Sequence, residues 1–352
     1  MNFIITLLIL IIILGIIIAI HEFGHFIAAK RGGVHVDEFS LGMGPAIFQY
    51  KPKKSETTYS IRAFPIGGFV SMAEKENEEL KIKKDRFLEN KSFFRKFLVM
   101  INGIFFNCLL AIVLFFISGL IYGEPISEPI IKSVVEDSAA YKVGIVPGDR
   151  ILEVNGTKIS TWDDFILEAS AKKLKDNYEF VVKKTNGDIE KYNLVPEITE
   201  IDGQSVRIFG ITSSGVTYHK GFSNAVSYAF SGFWNNSVTI FKILGSLFTG
   251  EVSVNSLSGP VGIYSLIDSV KSEGFEMLIY LTAYLSINVG IINLIPIPVF
   301  DGGRIVLLLI EAITKRKTNE KTELLINYIG FGLMIILMIY VTFNDIIRLV
   351  VS

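Results

Sequence analysis

The sequence predicts a multi-pass α-helical membrane protein with four transmembrane helices, a membrane-associated β-hairpin and one extracytoplasmic β-rich domain. Of the 352 residues, 50% are hydrophobic and 20% are charged, and the mean hydropathy is +0.47. This composition is too apolar for an ordinary soluble protein and too charged for a bare helix bundle. The formal net charge is −1 and no basic face with interleaved aromatic residues is present, so we expect no nucleic-acid partner. The single cysteine, Cys108, excludes an intramolecular disulfide and a cysteine-based metal site.

Long apolar runs predict the transmembrane helices, because a helix needs about 20 apolar residues to cross a bilayer. They occupy residues 1–30, 97–122, 277–303 and 324–350. The first run has no basic flank at its start and is longer than the apolar part of a signal peptide, so we interpret it as a retained span.

Basic residues predict the orientation of these spans, since lysine and arginine are concentrated in cytoplasmic loops. They are dense in residues 31–96, a predicted cytoplasmic or membrane-reentrant β region, and again in the short loop at residues 315–321. We therefore expect both loops to be cytoplasmic. Both termini and residues 123–274 then lie outside the cytoplasm, and the end of the first helix lies toward the cytoplasmic side.

Short β-type runs alternate with turn signals in residues 128–200, which predicts a small β-rich domain. The runs are residues 130–135, 150–154, 178–183 and 189–195. Residues 220–250 then carry apolar and aromatic side chains at helical spacing, which predicts an amphipathic surface helix. Two placements suit this helix: the outer membrane surface, or packing against the β-rich domain.

A histidine–glutamate–histidine pattern ends the first apolar run and has the spacing of a metal site. His21 and His25 are one helical turn apart, so both imidazoles can bind one zinc ion, with Glu22 beside its open position. Ionisable residues are costly inside a membrane and usually remain there for function. The pattern therefore indicates the chemistry of a zinc peptidase placed within a bilayer.

The third metal ligand is predicted to be Asp301, because a catalytic zinc site typically has three protein ligands and one exchangeable water. Pro296 and Pro298 prevent a regular helix before it, and Gly302 and Gly303 allow close backbone approach. The carboxylate can then turn inward at the membrane depth of the histidines. An HExxH motif alone also arises by chance and Asp-Gly-Gly is usually a turn, so the joint occurrence is what favours zinc.

Together these segments resemble the site-2 protease family of intramembrane zinc metalloproteases, specifically the bacterial regulator-of-sigma-E protease group. Residues 21–25 match the family's HExxH and residues 293–303 match its NxxPxPxxDGG, although Phe300 stands where leucine is common. The further similar segments are residues 257–263, residues 39–45 with 64–72, which look like the membrane-reentrant hairpin, and residues 139–156, which resemble a bacterial PDZ domain. A single PDZ-like domain, rather than two, leaves the nearest subgroup open.

The resemblance implies regulated intramembrane proteolysis in the bacterial inner membrane. In that interpretation Zn²⁺ is held by His21, His25 and Asp301, Glu22 acts as general base and then acid, and Asn293 holds the substrate or its oxyanion. The expected substrates are single-span membrane proteins, such as trimmed anti-sigma factors or remnant signal peptides. An edge strand of residues 38–70 is expected to bind the unwound substrate, the alternative being an ordinary cytoplasmic hairpin.

The PDZ-like domain has two alternative roles, either binding a C-terminal peptide or excluding substrates whose outer domain is untrimmed. Three other classes of protein fit the whole chain less well. A non-catalytic membrane scaffold that recruits partners through this domain leaves the retention of Glu22 unexplained. A metal transporter would need more ionisable residues along several spans. A membrane-anchored ATP-dependent protease is disfavoured because no GxxxxGK[ST] loop is present.

Overall fold

The computed structural model describes residues 2–75, 82–169, 177–201, 204–250, 257–316 and 318–351. The chain divides into two compact units, the first comprising Met1–Ile121 with Ala225–Ser352 and the second comprising Tyr122–Asn224. The first unit carries the predicted membrane helices, and the second corresponds to the predicted β-rich domain.

Four helices of the described chain are long and apolar enough to cross a membrane, which confirms the predicted number by length and composition. They are α1 (Asn2–Arg31), α2 (Phe93–Ile121), α7 (Phe275–Leu294) and α9 (Glu320–Val351). Large apolar side chains are exposed along α1, α2 and α9. Exposure of this kind suits a lipid environment, where apolar side chains incur no cost in facing outward.

Helix α7 is the most buried of the four and packs against α1 and α2. Its Leu281 and Leu285 meet Ile13 and Ile17 of α1 in one apolar cluster. Helix α9 is held by a polar contact instead: its buried Asp345 carboxylate accepts hydrogen bonds from the backbone amides of Gly259 at 2.9 Å and Gly262 at 2.8 Å. Helix α6 (Pro260–Val270), which follows Gly259, is thereby tied to α9.

Strands β1 (Val36–Tyr50) and β2 (Thr58–Met72) form a hairpin that folds back on itself. Residues 36–41 pair with residues 68–72 on one side and residues 58–61 on the other. Residues 46–50 pair with the far side of residues 59–62. The outer edges of this small sheet are therefore residues 68–72 and residues 46–50. Short 3-10 turns at Lys84–Arg86 and Leu88–Asn90 lead from the hairpin toward α2.

The amphipathic segment predicted at residues 220–250 is helix α5 (Phe222–Thr249). Its buried Tyr228 and Ile240 join a cluster that includes Phe115 of α2 and Ile287 of α7. One face of α5 therefore packs on two of the apolar helices, a contact that the sequence did not predict. Trp234 lies on its exposed face.

The second unit is built on a four-stranded antiparallel sheet with the strand order β6-β5-β7-β8. Two-stranded pairings β11-β4, β12-β3 and β10-β9 accompany it. The strands are β3 (Glu124–Ser127), β4 (Ile131–Val134), β5 (Arg150–Val154), β6 (Thr157–Lys158), β7 (Tyr178–Lys183), β8 (Ile189–Leu194), β9 (Glu197–Ile201), β10 (Gln204–Ile208), β11 (Ile211–Ser213) and β12 (Val216–His219). The four runs that the sequence singled out correspond to β4, β5, β7 and β8.

The core of this unit is aromatic, with Phe165, Tyr178, Phe180 and Phe209 packed against one another. Helices α3 (Ala139–Lys142) and α4 (Trp162–Ala169) cover it. The turn at Asn155-Gly156 has positive φ at both residues, as a tight two-residue hairpin between β5 and β6 requires.

Candidate metal centre

Helix α1 places the two predicted histidine ligands on one buried face. His21 and His25 are each 8% exposed, and their Nε2 atoms lie 3.2 Å apart. The rings are nearly perpendicular, so both nitrogens point toward one position rather than stacking. The four-residue spacing on a helix produces this convergence, as the sequence predicted.

Two glycines bring α1 and α2 close enough to enclose these imidazoles. A Cβ atom at Gly24 would lie 2.3 Å from the Asn102 carbonyl oxygen, so only glycine fits that helix contact. On α2, a Cβ atom at Gly103 would lie 2.4 Å from His25 Nε2 and 2.8 Å from His21 Cε1. The imidazoles therefore rest directly on the bare backbone of Gly103, in the manner of small-residue helix contacts in membranes.

The carboxylate ligand comes from the break after α7. That helix ends at Leu294, and helix α8 (Asp301–Thr314) begins with the predicted ligand itself. The glycines after it pack against the connecting backbone, where a Cβ at Gly302 would lie 2.2 Å from the Leu294 carbonyl oxygen. A Cβ at Gly303 would lie equally close, 2.2 Å, to the Ile297 carbonyl oxygen. The two glycines thus allow the tight reversal that turns Asp301 inward.

The three predicted ligands meet in space. Asp301 Oδ2 lies 3.1 Å from His21 Nε2 and 3.3 Å from His25 Nε2. This oxygen is buried, and it accepts no hydrogen bond from any described residue. These three side chains are the group of potential metal ligands found within the described chain.

The donor set fits zinc by geometry and by chemistry. Two ligands bound at about 2.1 Å to a tetrahedral ion lie about 3.4 Å apart, close to the three separations measured between His21, His25 and Asp301. Two imidazole nitrogens and one carboxylate oxygen are also a ligand combination that catalytic zinc uses. A buried oxygen without a hydrogen bond, facing two ring nitrogens, is accounted for by a shared cation.

The Nδ1 atoms of both histidines, which face away from the candidate metal position, also lie within hydrogen-bonding distance of α2. His25 Nδ1 donates to the Val99 carbonyl oxygen at 2.7 Å, which leaves the Nε2 lone pair directed at the site. His21 Nδ1 lies 3.3 Å from the side-chain amide of Asn107 on α2. Helix α2 therefore orients both ligands, one through a backbone oxygen and one through a side chain.

Glu22 lies between the metal ligands and the β-hairpin. Its carboxylate accepts a hydrogen bond from the backbone amide of Val70. A Cβ at Gly68 would lie 3.3 Å from Glu22 Cγ, so this edge strand passes directly beside the glutamate. The outer edge at residues 68–72 is consequently the part of the hairpin that borders the site.

Asn293, the remaining predicted site residue, is in the last turn of α7 and half-buried. Its side-chain amide donates to the Val289 carbonyl oxygen at 3.0 Å, and no described contact joins it to the ligand triad. The other two histidines lie elsewhere: His35 pairs with Asp37 at 2.9 Å, and the exposed His219 is on β12.

The sequence did not indicate Val99, Gly103 or Asn107, all of which α2 contributes to this centre. The only signals for them were a glycine and an asparagine within an apolar run, spaced four residues apart. Such a pair places both residues on one helix face, but the face that meets α1 is set by packing.

Four helices apolar enough to cross a membrane and a histidine–histidine–aspartate donor set beside a glutamate are together typical of a membrane metalloprotease. The chain belongs to peptidase family M50, the site-2 protease family, whose pattern matches residues 9–337. Enzymes of this family depend on zinc, in agreement with the donor set around Asp301.

Individual relatives are also named as zinc metalloproteases. A Clostridium acetobutylicum protein named a putative zinc metalloprotease is 36% identical over 342 residues, covering 97% of both chains. The zinc metalloprotease RasP of Bacillus licheniformis is 30% identical over 425 residues, covering 98% of this chain and 99% of that one. Among solved structures, the PDZ domain of the SdrC-like protein from Listeria innocua matches 26% of this chain and 99% of its own, with 27% identity and a TM-score of 0.22.

Proposed function

We propose that this protein is an intramembrane zinc metalloendopeptidase that hydrolyses peptide bonds within or near the transmembrane segments of single-span membrane proteins. The observation that carries the proposal is the convergence of His21, His25 and Asp301 beside Glu22 at the end of an apolar helix. A hydrolytic site at that position has access to segments that lie in the bilayer.

The protein's own residues divide the chemistry among them. Zinc held by the two Nε2 atoms and by Asp301 would polarise the scissile carbonyl and make water more acidic. Glu22, adjacent in sequence to His21, accepts a proton from the attacking water and delivers it to the leaving amine. Asn293 carries a second N–H besides the one given to Val289, and this N–H donates to the substrate or its developing oxyanion.

Replacing Glu22 by glutamine tests this assignment, because glutamine keeps the shape of the side chain but cannot accept the proton. We expect Glu22→Gln to retain folding and zinc content and to lose peptide-bond cleavage, with Glu136→Gln on the exposed surface as the matched control. Zinc analysis and mass spectrometry of a reconstituted single-span substrate give the two readouts. Undiminished turnover by the purified Glu22→Gln protein would overturn the assignment, whereas absence of cleavage by the zinc-loaded wild type would favour a non-catalytic scaffold.

A transmembrane substrate must also unwind, since a helix holds its carbonyl groups in internal hydrogen bonds. We propose that the substrate pairs as a strand with residues 68–72, the hairpin edge beside Glu22. Among the described residues, the strand pairing of this segment is with residues 36–41 alone. The Val70 amide donates to Glu22, so a substrate that pairs with this edge would lie directly beside the glutamate. The distance from Gly68 to Glu22 supports this placement.

Paired substitutions at Val70 test the strand-pairing step. Val70→Pro removes a backbone N–H from the edge, whereas Val70→Ala keeps it and removes only side-chain bulk. We expect the proline to raise KM about tenfold or more with zinc still bound, and the alanine to remain near wild type. A fall in kcat alone would assign Val70 to positioning Glu22, and unaffected cleavage would leave the segment as an ordinary hairpin.

The second unit is proposed to control access, either by binding a C-terminal peptide of the substrate or by excluding substrates with untrimmed outer domains. Deletion of residues 128–200 distinguishes the two roles. A size filter predicts that untrimmed substrates are then cleaved, whereas a recruiting domain predicts that cleavage is lost.

For the whole chain we propose the bacterial cytoplasmic membrane, with both termini and the second unit outside and the metal centre toward the cytoplasm. The basic residues at the end of α1, Lys30 and Arg31, support this orientation. Accessibility of cysteines introduced at the two termini to an impermeant reagent tests it, and labelling only after the membrane is opened would contradict it.

A further inference from the structure

Asn107 is the least explained polar side chain near the metal centre. It is on α2, within an apolar helix, and is completely buried. Its amide lies 3.3 Å from His21 Nδ1, while its Oδ1 atom has no hydrogen-bond partner among the described residues. Burying an amide in an apolar helix is costly unless its groups are satisfied, so this arrangement requires an explanation.

The tautomer that His21 must adopt to bind a metal shows which end of the Asn107 amide should face it. A neutral histidine that binds a metal through Nε2 carries its proton on Nδ1, which is then a hydrogen-bond donor. A donor needs an oxygen opposite it, and the carboxamide of Asn107 has one. The oxygen and nitrogen of a carboxamide occupy almost the same shape, so a half-turn of the group presents Oδ1 to His21.

The neighbouring ligand follows the same rule with a different group. His25 Nδ1 donates to the Val99 carbonyl oxygen, which can only accept. Both acceptors come from α2, where Val99 and Asn107 are about two helical turns apart, whereas His21 and His25 are one turn apart on α1. The backbone of Asn107 is itself fixed, because its carbonyl oxygen accepts from the Ser286 hydroxyl of α7 at 2.9 Å.

We propose that Asn107 is a positioning residue for the metal centre, and that its Oδ1 accepts the Nδ1–H of His21 and fixes the tautomer and ring orientation that bind zinc. The inference rests on the proposed role of His21 as a zinc ligand. Partners of this kind raise metal affinity because the ligand ring no longer has to be ordered on binding, and their loss typically weakens zinc binding about 10- to 100-fold.

Two substitutions separate this role from simple packing. Asn107→Leu keeps the branched shape of the side chain and removes the acceptor, whereas Asn107→Asp keeps the acceptor and places a carboxylate behind the histidine. We expect the leucine variant of the full-length protein to bind zinc about 10- to 100-fold more weakly, and the aspartate variant to remain within a few-fold of wild type. A packing role predicts the opposite order, because leucine fits a buried apolar site and a buried carboxylate does not.

Zinc affinity is measured by competition with a chromogenic chelator in detergent-solubilised protein. Asn102→Leu is the matched control, since the Asn102 side chain donates to Leu98 of its own helix and should leave affinity unchanged. If the leucine variant does not fold, the inference is tested on the zinc-loaded wild type by ¹⁵N NMR spectra of the histidine side chains. We expect these spectra to show a protonated, hydrogen-bonded Nδ1 on His21.

Three results would overturn the inference: wild-type zinc affinity in Asn107→Leu, a weaker affinity in Asn107→Asp than in Asn107→Leu, or an unprotonated His21 Nδ1 in the zinc-loaded wild type. A different result would show that His21 is not a zinc ligand at all, which would contradict the proposed function itself. In that case His21→Ala would bind zinc as tightly as the wild type, whatever residue stands at position 107.

Discussion

Gly103→Ala is the smallest change that should disable the metal centre. The added Cβ would lie 2.4 Å from His25 Nε2, 2.7 Å from His25 Cε1 and 2.8 Å from His21 Cε1. Ordinary contacts between such atoms are about 3.5 to 4.0 Å, so the imidazoles must move by about 1 Å or the helices must separate. His25 cannot swing away without losing its hydrogen bond to Val99.

A displacement of this size exceeds what a zinc site tolerates, because bond lengths must stay within about 0.2 Å. A misplacement of 1 Å near reacting groups can also lower a rate about 100-fold, which corresponds to roughly 3 kcal/mol of transition-state stabilisation. We therefore expect Gly103→Ala to lose at least about 100-fold in cleavage of a reconstituted substrate and to lose bound zinc in parallel.

Gly290→Ala is the matched control, since α7 meets α2 there with more room. Its Cβ would have Asn107 Cβ and the Ile104 carbonyl oxygen as nearest neighbours, both at 3.6 Å, which is an ordinary contact. This variant should keep zinc and activity. If Gly103→Ala also retained zinc and cleavage within a few-fold of wild type, the close contact of α2 with the imidazoles would be wrong.

Two further predictions concern charges away from the centre. Lys184→Met leaves the fully buried Asp149 without the ammonium 2.9 Å away, so hydrogen exchange should show the second unit destabilised by about 3 kcal/mol. The exposed Lys191→Met should have little effect, and equal protection in both variants would contradict this. Hydrogen bonds from Arg86 lower the pKa of Glu56 to about 2, so its stabilising effect is complete above about pH 4.5 and is lost as the pH falls toward 2. Glu56→Gln should therefore cost about 1 to 2 kcal/mol at neutral pH, with a difference in thermal stability from wild type that disappears near pH 2; a pH-independent difference would refute the pairing.

Much of the metal centre was predictable because its signals are local. Four residues separate His21 from His25, and helix geometry alone places them on one face. Asp301 was predictable from the prolines before it and the glycines after it, which mark where a helix must break. The apolar runs likewise predicted the four membrane helices, because length and hydropathy are properties of each segment by itself.

The parts that the sequence did not predict depend on how separate segments meet. Gly103 and Asn107 became significant only when the rotation of α2 against α1 was known. The packing of α5 on α2 and α7 was missed because an amphipathic face does not identify its partner. The hairpin reverses twice where Gly42, Gly44 and Gly67 have positive φ, and this double pairing is set by contacts across the sheet.

Mapping the cleaved bond in a membrane-embedded substrate tests the central claim most directly. The zinc-loaded protein and a single-span substrate would be reconstituted together in lipid vesicles, and the products weighed by mass spectrometry. Proteolysis by the site at His21, His25 and Asp301 predicts one or a few cuts within or near the spanning segment, absent from the Glu22→Gln protein. Cuts confined to the soluble parts of the substrate, or the same cuts made by Glu22→Gln, would contradict it.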